Sequence, residues 1–274
     1  MILLDGQKLS KKILENIKNE IKKKQLKLKL AVVLVGKSEV SKSYINKKKE
    51  ACDFVGVEFK LLNFSPDIPE EELKKEIIKL ANDKNINGIV IQLPLSPKLN
   101  THDILNLIPE KKDPDILSDI SFQKFEDGKL GILPPVVGAI KYLLEEYKIS
   151  LKNKKIVLVG KGKLVGKPVS AWLESKKADF LIIDKNTKDI TKTIEQADII
   201  ISGAGSSDLI KRDMIKQGAV LIDAGSSSEE GIVRGDIEKN AYKKASYVAP
   251  VPGGVGPLTI VCLLKNLIFL ANSS

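Results

Sequence analysis

Residues 155–166 read K-I-V-L-V-G-K-G-K-L-V-G, and they decide how the rest of the chain is parsed. The apolar, β-branched opening fits a strand covered on both faces. Gly160, Gly162 and Gly166 follow at once, in the spacing G-x-G-x-x-x-G. Glycines between a strand and a helix permit a tight turn and let a pyrophosphate approach the N–H groups at the helix start. The spacing is one residue longer than the usual dinucleotide fingerprint, so alone it does not separate a cofactor loop from an ordinary α/β turn.

The same alternation runs outward in both directions. Short β-branched runs occupy residues 30–35, 88–92, 180–184, 198–202 and 219–223. Helical stretches, many rich in lysine, lie near residues 6–24, 39–55, 69–83, 136–147 and 165–176, and a last apolar helix covers about 258–270. This order predicts an α/β fold with parallel sheets. Pro114, Asp115, Asp119 and Gly128 interrupt the apolar pattern, which places a boundary within residues 111–131. Two lobes are expected. An N-terminal α/β lobe comprises residues 1–117 with 257–274, and a Rossmann-like lobe comprises residues 118–256, the last helix returning to the first lobe.

Composition narrows the function classes. An apolar fraction of 43% and a mean hydropathy of −0.05 suit a soluble globular protein. No membrane span and no signal peptide are read, so a cytoplasmic protein is expected. The net charge of +10 is almost all lysine on helix faces, since Arg212 and Arg234 are the only arginines. With 5% aromatic residues, neither bidentate base contacts nor a stacking platform is indicated, so nucleic acid is not an expected partner. Cys52 and Cys262 lack metal-ligand spacing, and no metal site is expected.

Several polar residues sit where chemistry could use them. On the helix over residues 39–55, Tyr44 and Lys48 are four apart and share a face with Ala51, Cys52 and Val55. A lysine there is either desolvated, which lowers its pKa and makes it a proton carrier, or snorkels to the edge. Gln92 closes the run 88–92, where strand ends face a ligand crevice or simply cap the strand. Asp113 and Asp115 lie in K-D-P-D, and turn aspartates are commonly structural. His102 stands at a helix start beside Thr101 and Asp103, which suggests capping. Asp184 ends its strand, as a ribose-binding acid would, while Lys161 and Lys185 beside it could take a 2′-phosphate. The residues therefore leave NAD and NADP both open. Ser226, in a serine run after Asp223, follows a strand end and could face the cofactor. The stretch P-V-P-G-G-V-G-P, residues 250–257, reads as an irregular loop whose backbone could lie against a flat ligand.

Read together, these segments resemble the methylenetetrahydrofolate dehydrogenase/cyclohydrolase family nearly end to end. S-x-S-Y-I-x-x-K-x-x-A-C-x-x-V-G (residues 41–56), N-G-I-V-I-Q-L-P-L (87–95) and A-P-V-P-G-G-V-G-P-L-T (249–259) match its motifs, as do A-D-I-I-I-S-G-A-G (197–205) and G-A-V-L-I-D-A-G (218–225). The resemblance implies a bifunctional enzyme that oxidises 5,10-methylenetetrahydrofolate with NADP and hydrolyses the methenyl product to 10-formyltetrahydrofolate. It implies that Lys48 is the central acid/base, that Gln92 holds it, that Tyr44 shapes the folate pocket and that Asp115 binds the pterin. Ile91, Leu93, Pro252, Gly253, Gly254 and Val255 would line the substrate. Gly160, Lys161, Gly162, Val165, Gly166, Asp184, Lys185 and Ser226 would hold the cofactor. A homodimer through the cofactor lobe is also implied.

Four departures from the family pattern border these sites: Ile116 in place of glycine, Leu133-Pro134-Pro135-Val136, Gly162 after Lys161, and the pair Asp184-Lys185. They keep two alternatives in view. One is a cyclohydrolase with weakened or NAD-shifted dehydrogenase activity, and the other is a non-catalytic folate- or nucleotide-binding module.

Overall fold

The apolar runs become strands, and the order in which those strands pair determines where ligands can gather. The computed structural model describes residues 1–36, 39–229 and 232–273. In chain order its elements are β1 (Ile2–Leu3), α1 (Gly6–Lys24), β2 (Lys29–Val35), α2 (Glu39–Val55), β3 (Glu58–Phe64), α3 (Glu70–Asn82), β4 (Gly88–Ile91), α4 (Thr101–Leu105), α5 (Asp119–Glu126) and α6 (Pro135–Glu146). They continue as β5 (Ile156–Val159), α7 (Gly166–Ser175), β6 (Phe180–Ile183), α8 (Ile190–Ile194), β7 (Ile199–Ser202), β8 (Val220–Asp223), β9 (Ser227–Glu229), β10 (Ile232–Arg234), β11 (Tyr247–Ala249) and α9 (Val255–Asn272).

Two units result. The N-terminal unit joins Lys11–Pro135 to Ile260–Ser274, and the glycine-loop unit joins Met1–Ser10 to Val136–Thr259. These bounds differ from the 117/118 and 256/257 divisions expected from sequence, for two physical reasons. Leu130 and Ile132 share a buried cluster with Ile116 and Leu270, which keeps residues 118–135 in the N-terminal unit. At the N-terminus, β1 pairs with β11 through Ile2↔Tyr247 and Leu3↔Val248, which carries Met1–Ser10, expected in the N-terminal lobe, into the glycine-loop unit.

In the N-terminal unit the parallel sheet has the order β3-β2-β4. Leu73, Ile77 and Leu80 recur at helical spacing along α3 and pack with Val33, Ile89 and Ile91 of the sheet. Each such fully buried side chain contributes roughly 1.5–3 kcal/mol. The last helix packs on the same sheet beside Leu30: a Cβ on Gly88 would lie 2.6 Å from Leu267 Cδ1 and 3.2 Å from Leu30 Cδ1. Among the described residues α9 alone is long and apolar enough to cross a bilayer, and most of its length is buried inside the protein. It starts at Val255, three residues before the expected 258, so the final residues of the glycine–proline stretch are helical rather than loop. Pro257 is tolerated there because first-turn N–H groups have no intrahelical partner.

In the glycine-loop unit a parallel sheet runs β1-β11-β8-β7-β5-β6, with the β9–β10 hairpin separate from it. β5, β7 and β8 are buried throughout, as their apolar runs require. Strand β3 was not expected. Glu58, Lys60 and Asn63 break its apolar pattern, which an edge strand accommodates.

Each sheet has a point where the strand order reverses. In the N-terminal unit the chain leaves β2 for β3 on one side and returns to β4 on the other, so the reversal lies between β2 and β4. In the glycine-loop unit β5 leads to β6 and the chain then returns to β7, so the reversal lies between β5 and β7. Ligand crevices form outside the carboxyl ends of strands at such points.

Candidate active site

Lys48 and Gln92 meet beside the reversal of the N-terminal sheet. β4 ends at Ile91, so Gln92 is the first residue past the strand rather than its last, and its N–H donates to Val33 O of β2 at 2.9 Å. Its Oε1 accepts a hydrogen bond from Lys48 Nζ at 3.1 Å, while its Nε2 donates to Leu93 O at 2.9 Å. Both ends of the amide are thereby used, which fixes the oxygen towards the amine. Lys48 and Tyr44 are half-buried, above the buried Ala51, Cys52 and Val55 on the same face of α2. Lys48 is thus at the rim of the buried face, not inside it. Burial pushes the Cys52 thiol up to about 12, with Asp53 adding to the rise, so it stays protonated and inert.

Asp115 completes the group. It keeps some accessible surface, yet its carboxyl is enclosed enough that burial raises its pKa; the Lys48 charge pulls it back and Asp113 adds to the rise. The two aspartates of K-D-P-D differ in kind. Asp113 is 1% exposed and accepts from Leu117 N, Ser118 N and Ser118 Oγ, which makes it the frame of the turn. Lys112, also buried, donates to Ala81 O at 2.8 Å and Asp83 O at 2.6 Å and so closes the C-terminus of α3. Asn266 of α9 donates to Pro114 O and Leu133 O, tying the last helix to the turn. These supports were not singled out from sequence, although an asparagine in the middle of an apolar helix is itself a signal. Ile91 was expected to touch substrate, but its side chain is 2% exposed within the core cluster. Leu93 is half-buried. His102 does not cap α4: Asn100 does, accepting from Asp103 N, and His102 Nε2 lies 2.6 Å from Asp119 Oδ2.

The glycine-loop unit gathers its own set between β5 and β7. Gly160 has φ +102, and a Cβ on it would lie 2.7 Å from Gly203 O, so the loops after the two strands can close only on glycine. Val165 fills the space above Gly203, and Gly166 begins α7. Gly162, by contrast, has nothing within 4 Å of where its side chain would be. The space beside Gly162 is open, and a ten-residue helix follows it. Asp184 lies one residue past β6. Its Oδ2 pairs with Lys161 Nζ at 2.8 Å, and its Oδ1 accepts from Asn186 N at 2.9 Å. Lys161 first, then that backbone bond, hold its carboxyl below the usual range. Lys185 and Ser226 are exposed.

Two buried carboxylates that sequence reading left without a role shape the same region. Asp236 accepts from Ser202 Oγ, Ala204 N and Ser206 N, and Asp223 accepts from Gly225 N, Asp236 N and Ile237 N. They order the loops after β7 and β8. In the same unit Gln7 N donates to Gly253 O, Gly254 N donates to Pro250 O, and a Cβ on Gly254 would lie 2.7 Å from Pro250 O. Gly253 has φ +105 and open space around it, while Pro252 is exposed and Val255 is buried. Glycine is required at 254 by close packing on Pro250 and at 253 by the positive φ. No cluster of three or more histidine, cysteine, aspartate or glutamate residues suited to a metal occurs among the described residues.

Fold and site together define the class: an α/β enzyme with a dinucleotide-binding unit and a separate lysine-centred unit. Residues 4–115 match the family model described as tetrahydrofolate dehydrogenase/cyclohydrolase, catalytic domain, and residues 134–274 match its NAD(P)-binding domain. The chain belongs to the tetrahydrofolate dehydrogenase/cyclohydrolase family. It is 40% identical to the bifunctional protein FolD of Hydrogenobaculum over 97% of both chains. The crystal structure of the bifunctional FolD enzyme of Campylobacter jejuni superposes with a TM-score of 0.94 at 36% identity, covering 100% of this chain and 99% of that one. The Trypanosoma brucei enzyme, solved with NADP cofactor and an inhibitor, gives a TM-score of 0.94 at 28% identity over 100% and 98% of the two chains.

Proposed function

We propose that this chain oxidises 5,10-methylenetetrahydrofolate to the 5,10-methenyl form with NADP and then hydrolyses that product to 10-formyltetrahydrofolate. The observation that carries the reading is the Lys48 Nζ–Gln92 Oε1 contact, with the enclosed Asp115 carboxyl under the Lys48 charge. Bound NADP would supply the hydride acceptor. Gly162 and the start of α7 would take its pyrophosphate, Lys161 and Lys185 its 2′-phosphate, and Ser226 would approach from the loop after β8. Tyr44 would flank the pterin and Asp115 would hydrogen-bond its ring. Gln92 would keep the Lys48 nitrogen aimed at the reacting carbon. In the hydrolytic step the neutral amine form of Lys48 would take a proton from the attacking water as its oxygen bonds to the methenyl carbon. It would return that proton to the folate nitrogen whose bond to the carbon breaks, while the carbon-bound hydroxyl releases its remaining proton to solvent and becomes the formyl oxygen on the other nitrogen.

A second reading concerns the cofactor alone. Asp184 stands where an acidic residue binds the ribose of NAD, and this favours use of NAD beside NADP. We place the enzyme in the cytoplasm as a homodimer formed through the glycine-loop unit, as the family resemblance implies. The test assays the purified chain with 5,10-methylenetetrahydrofolate, following reduced nicotinamide with NADP and with NAD, and separately with supplied 5,10-methenyltetrahydrofolate, following the decay of its chromophore. Turnover in both assays supports the bifunctional reading. Hydrolysis without nicotinamide reduction leaves the cyclohydrolase alternative, and binding without turnover refutes catalysis.

A further inference from the structure

Ile116 stands next to Asp115 in a conformation that a β-branched residue seldom adopts. Its φ is +57, in the left-handed region, where a Cβ crowds the following carbonyl. It is 1% exposed, and its side chain packs with Leu130, Ile132 and Leu270, against which Phe122 and Phe125 also pack. Its N–H closes the turn around Pro114 and Asp115 by donating to Asp113 O at 3.3 Å. Beyond it, Leu117 N and Ser118 N return to the Asp113 carboxylate. Strained residues persist only where their surroundings over-determine them, and they concentrate at functional sites. Glycine would satisfy this backbone angle without strain but would give the turn no anchor.

We propose that Ile116 is a positioning residue for this site: its buried side chain pins the turn that carries Asp115 and so aims that carboxyl towards Lys48. The inference rests on the reading of Asp115 as a substrate contact. Two independent features converge on Ile116. The backbone angle argues against isoleucine, while the burial among aromatic and aliphatic side chains explains why it is held there. Asp113 and Asn266 fix the turn before and beside Asp115, and Ile116 fixes it on the far side. Asp115 is thus bracketed, with its carboxyl as the part left to act.

The test compares Ile116→Gly, Ile116→Ala and Ile116→Val in the full chain. With Ile116→Gly the KM for the folate substrate rises about tenfold, the scale expected of a small misplacement, while the KM for NADP stays within roughly twofold. Ile116→Val, which keeps most of the anchor, restores near-normal values. Ile116→Ala loses the anchor and keeps the strain, so it melts below Ile116→Gly and shows the same rise in folate KM. Carboxyl-carbon NMR of Asp115 gives a readout that needs no turnover. In the glycine and alanine variants its midpoint moves down towards that of an ordinary carboxyl as the turn loosens. An Asp115 titration unchanged in both variants overturns the proposal even if the chain proves not to use folate. A KM that rises equally for folate and NADP, or an alanine variant melting at or above the glycine one, overturns it as well. Failure of the proposed function alone shows instead as a shifted titration without folate turnover in the wild-type chain.

Discussion

Replacing Asn266 by alanine tests whether the last helix holds the Asp115 turn in place. Asn266 Nδ2 donates to Pro114 O at 2.9 Å and to Leu133 O at 2.8 Å, and the residue is 6% exposed. Alanine leaves both carbonyls without that donor. The Pro114 bond is buried, so its oxygen bears the full cost of an unmet acceptor, about 1–3 kcal/mol. The Leu133 bond is only part-buried, so water can replace the amide and the loss is about 0.5–1 kcal/mol. Together these give about 2–4 kcal/mol. For a chain of this size a loss near 3 kcal/mol lowers Tm by roughly 6–12 °C. Calorimetry reads this directly, with Asn272→Ala, an exposed position in the same helix, as the control expected to shift stability by less than about 0.5 kcal/mol. Asn266→Ala melting with that control would refute the view that these two hydrogen bonds carry the connection.

Further outcomes follow from the same geometry. His102 is the only histidine, so its imidazole gives one resolvable NMR titration. Hydrogen bonds to Asp103 and Asp119 raise its pKa above 6.5, so its contribution to stability is present at low pH and is lost as pH rises through the folded value. Asp119→Asn should lower the midpoint, and an unmoved midpoint would contradict the pairing. Gly254→Ala places a Cβ 2.7 Å from Pro250 O and should cost about 1–3 kcal/mol in urea denaturation, whereas a neutral result would show that the contact yields freely. Lys161→Ala should raise the KM for NADP more than that for NAD, and Asp184→Asn should shift preference towards NADP. Equal effects on the two cofactors would remove this pair from cofactor selection.

Much of this arrangement was legible in the sequence because strong local signals and strong tertiary demands coincided. β5, β7 and β8 are buried on both faces, so their runs are uniformly apolar and easily read. The four-residue spacing of Tyr44 and Lys48 fixed their shared face, and β4 ends at Ile91 with Gln92 just beyond it. The less legible parts depend on distant partners. β3 is an edge strand whose charged residues hide its pattern, and β1 is defined only by pairing with β11 some 240 residues on. Asp113 and Asp115 look alike in K-D-P-D, and only the fold separates the carboxylate that frames the turn from the enclosed one that feels the Lys48 charge. The contact of Gly254 with the backbone of Pro250, which requires glycine there, could not be read from the loop's composition. The left-handed angle at Ile116 could not be expected of isoleucine on local grounds.

The most direct test of the central claim is the cyclohydrolase rate of Lys48→Met, a substitution that keeps an unbranched apolar stem and removes the proton-carrying nitrogen. Wild-type and variant chains would be compared for methenyltetrahydrofolate hydrolysis, with Tm and folate binding measured on the same preparations. Loss of hydrolysis by about 10²–10⁴-fold, with Tm and binding largely retained, is the outcome expected of an acid/base group. Hydrolysis at the wild-type rate in a folded Lys48→Met variant would contradict the account.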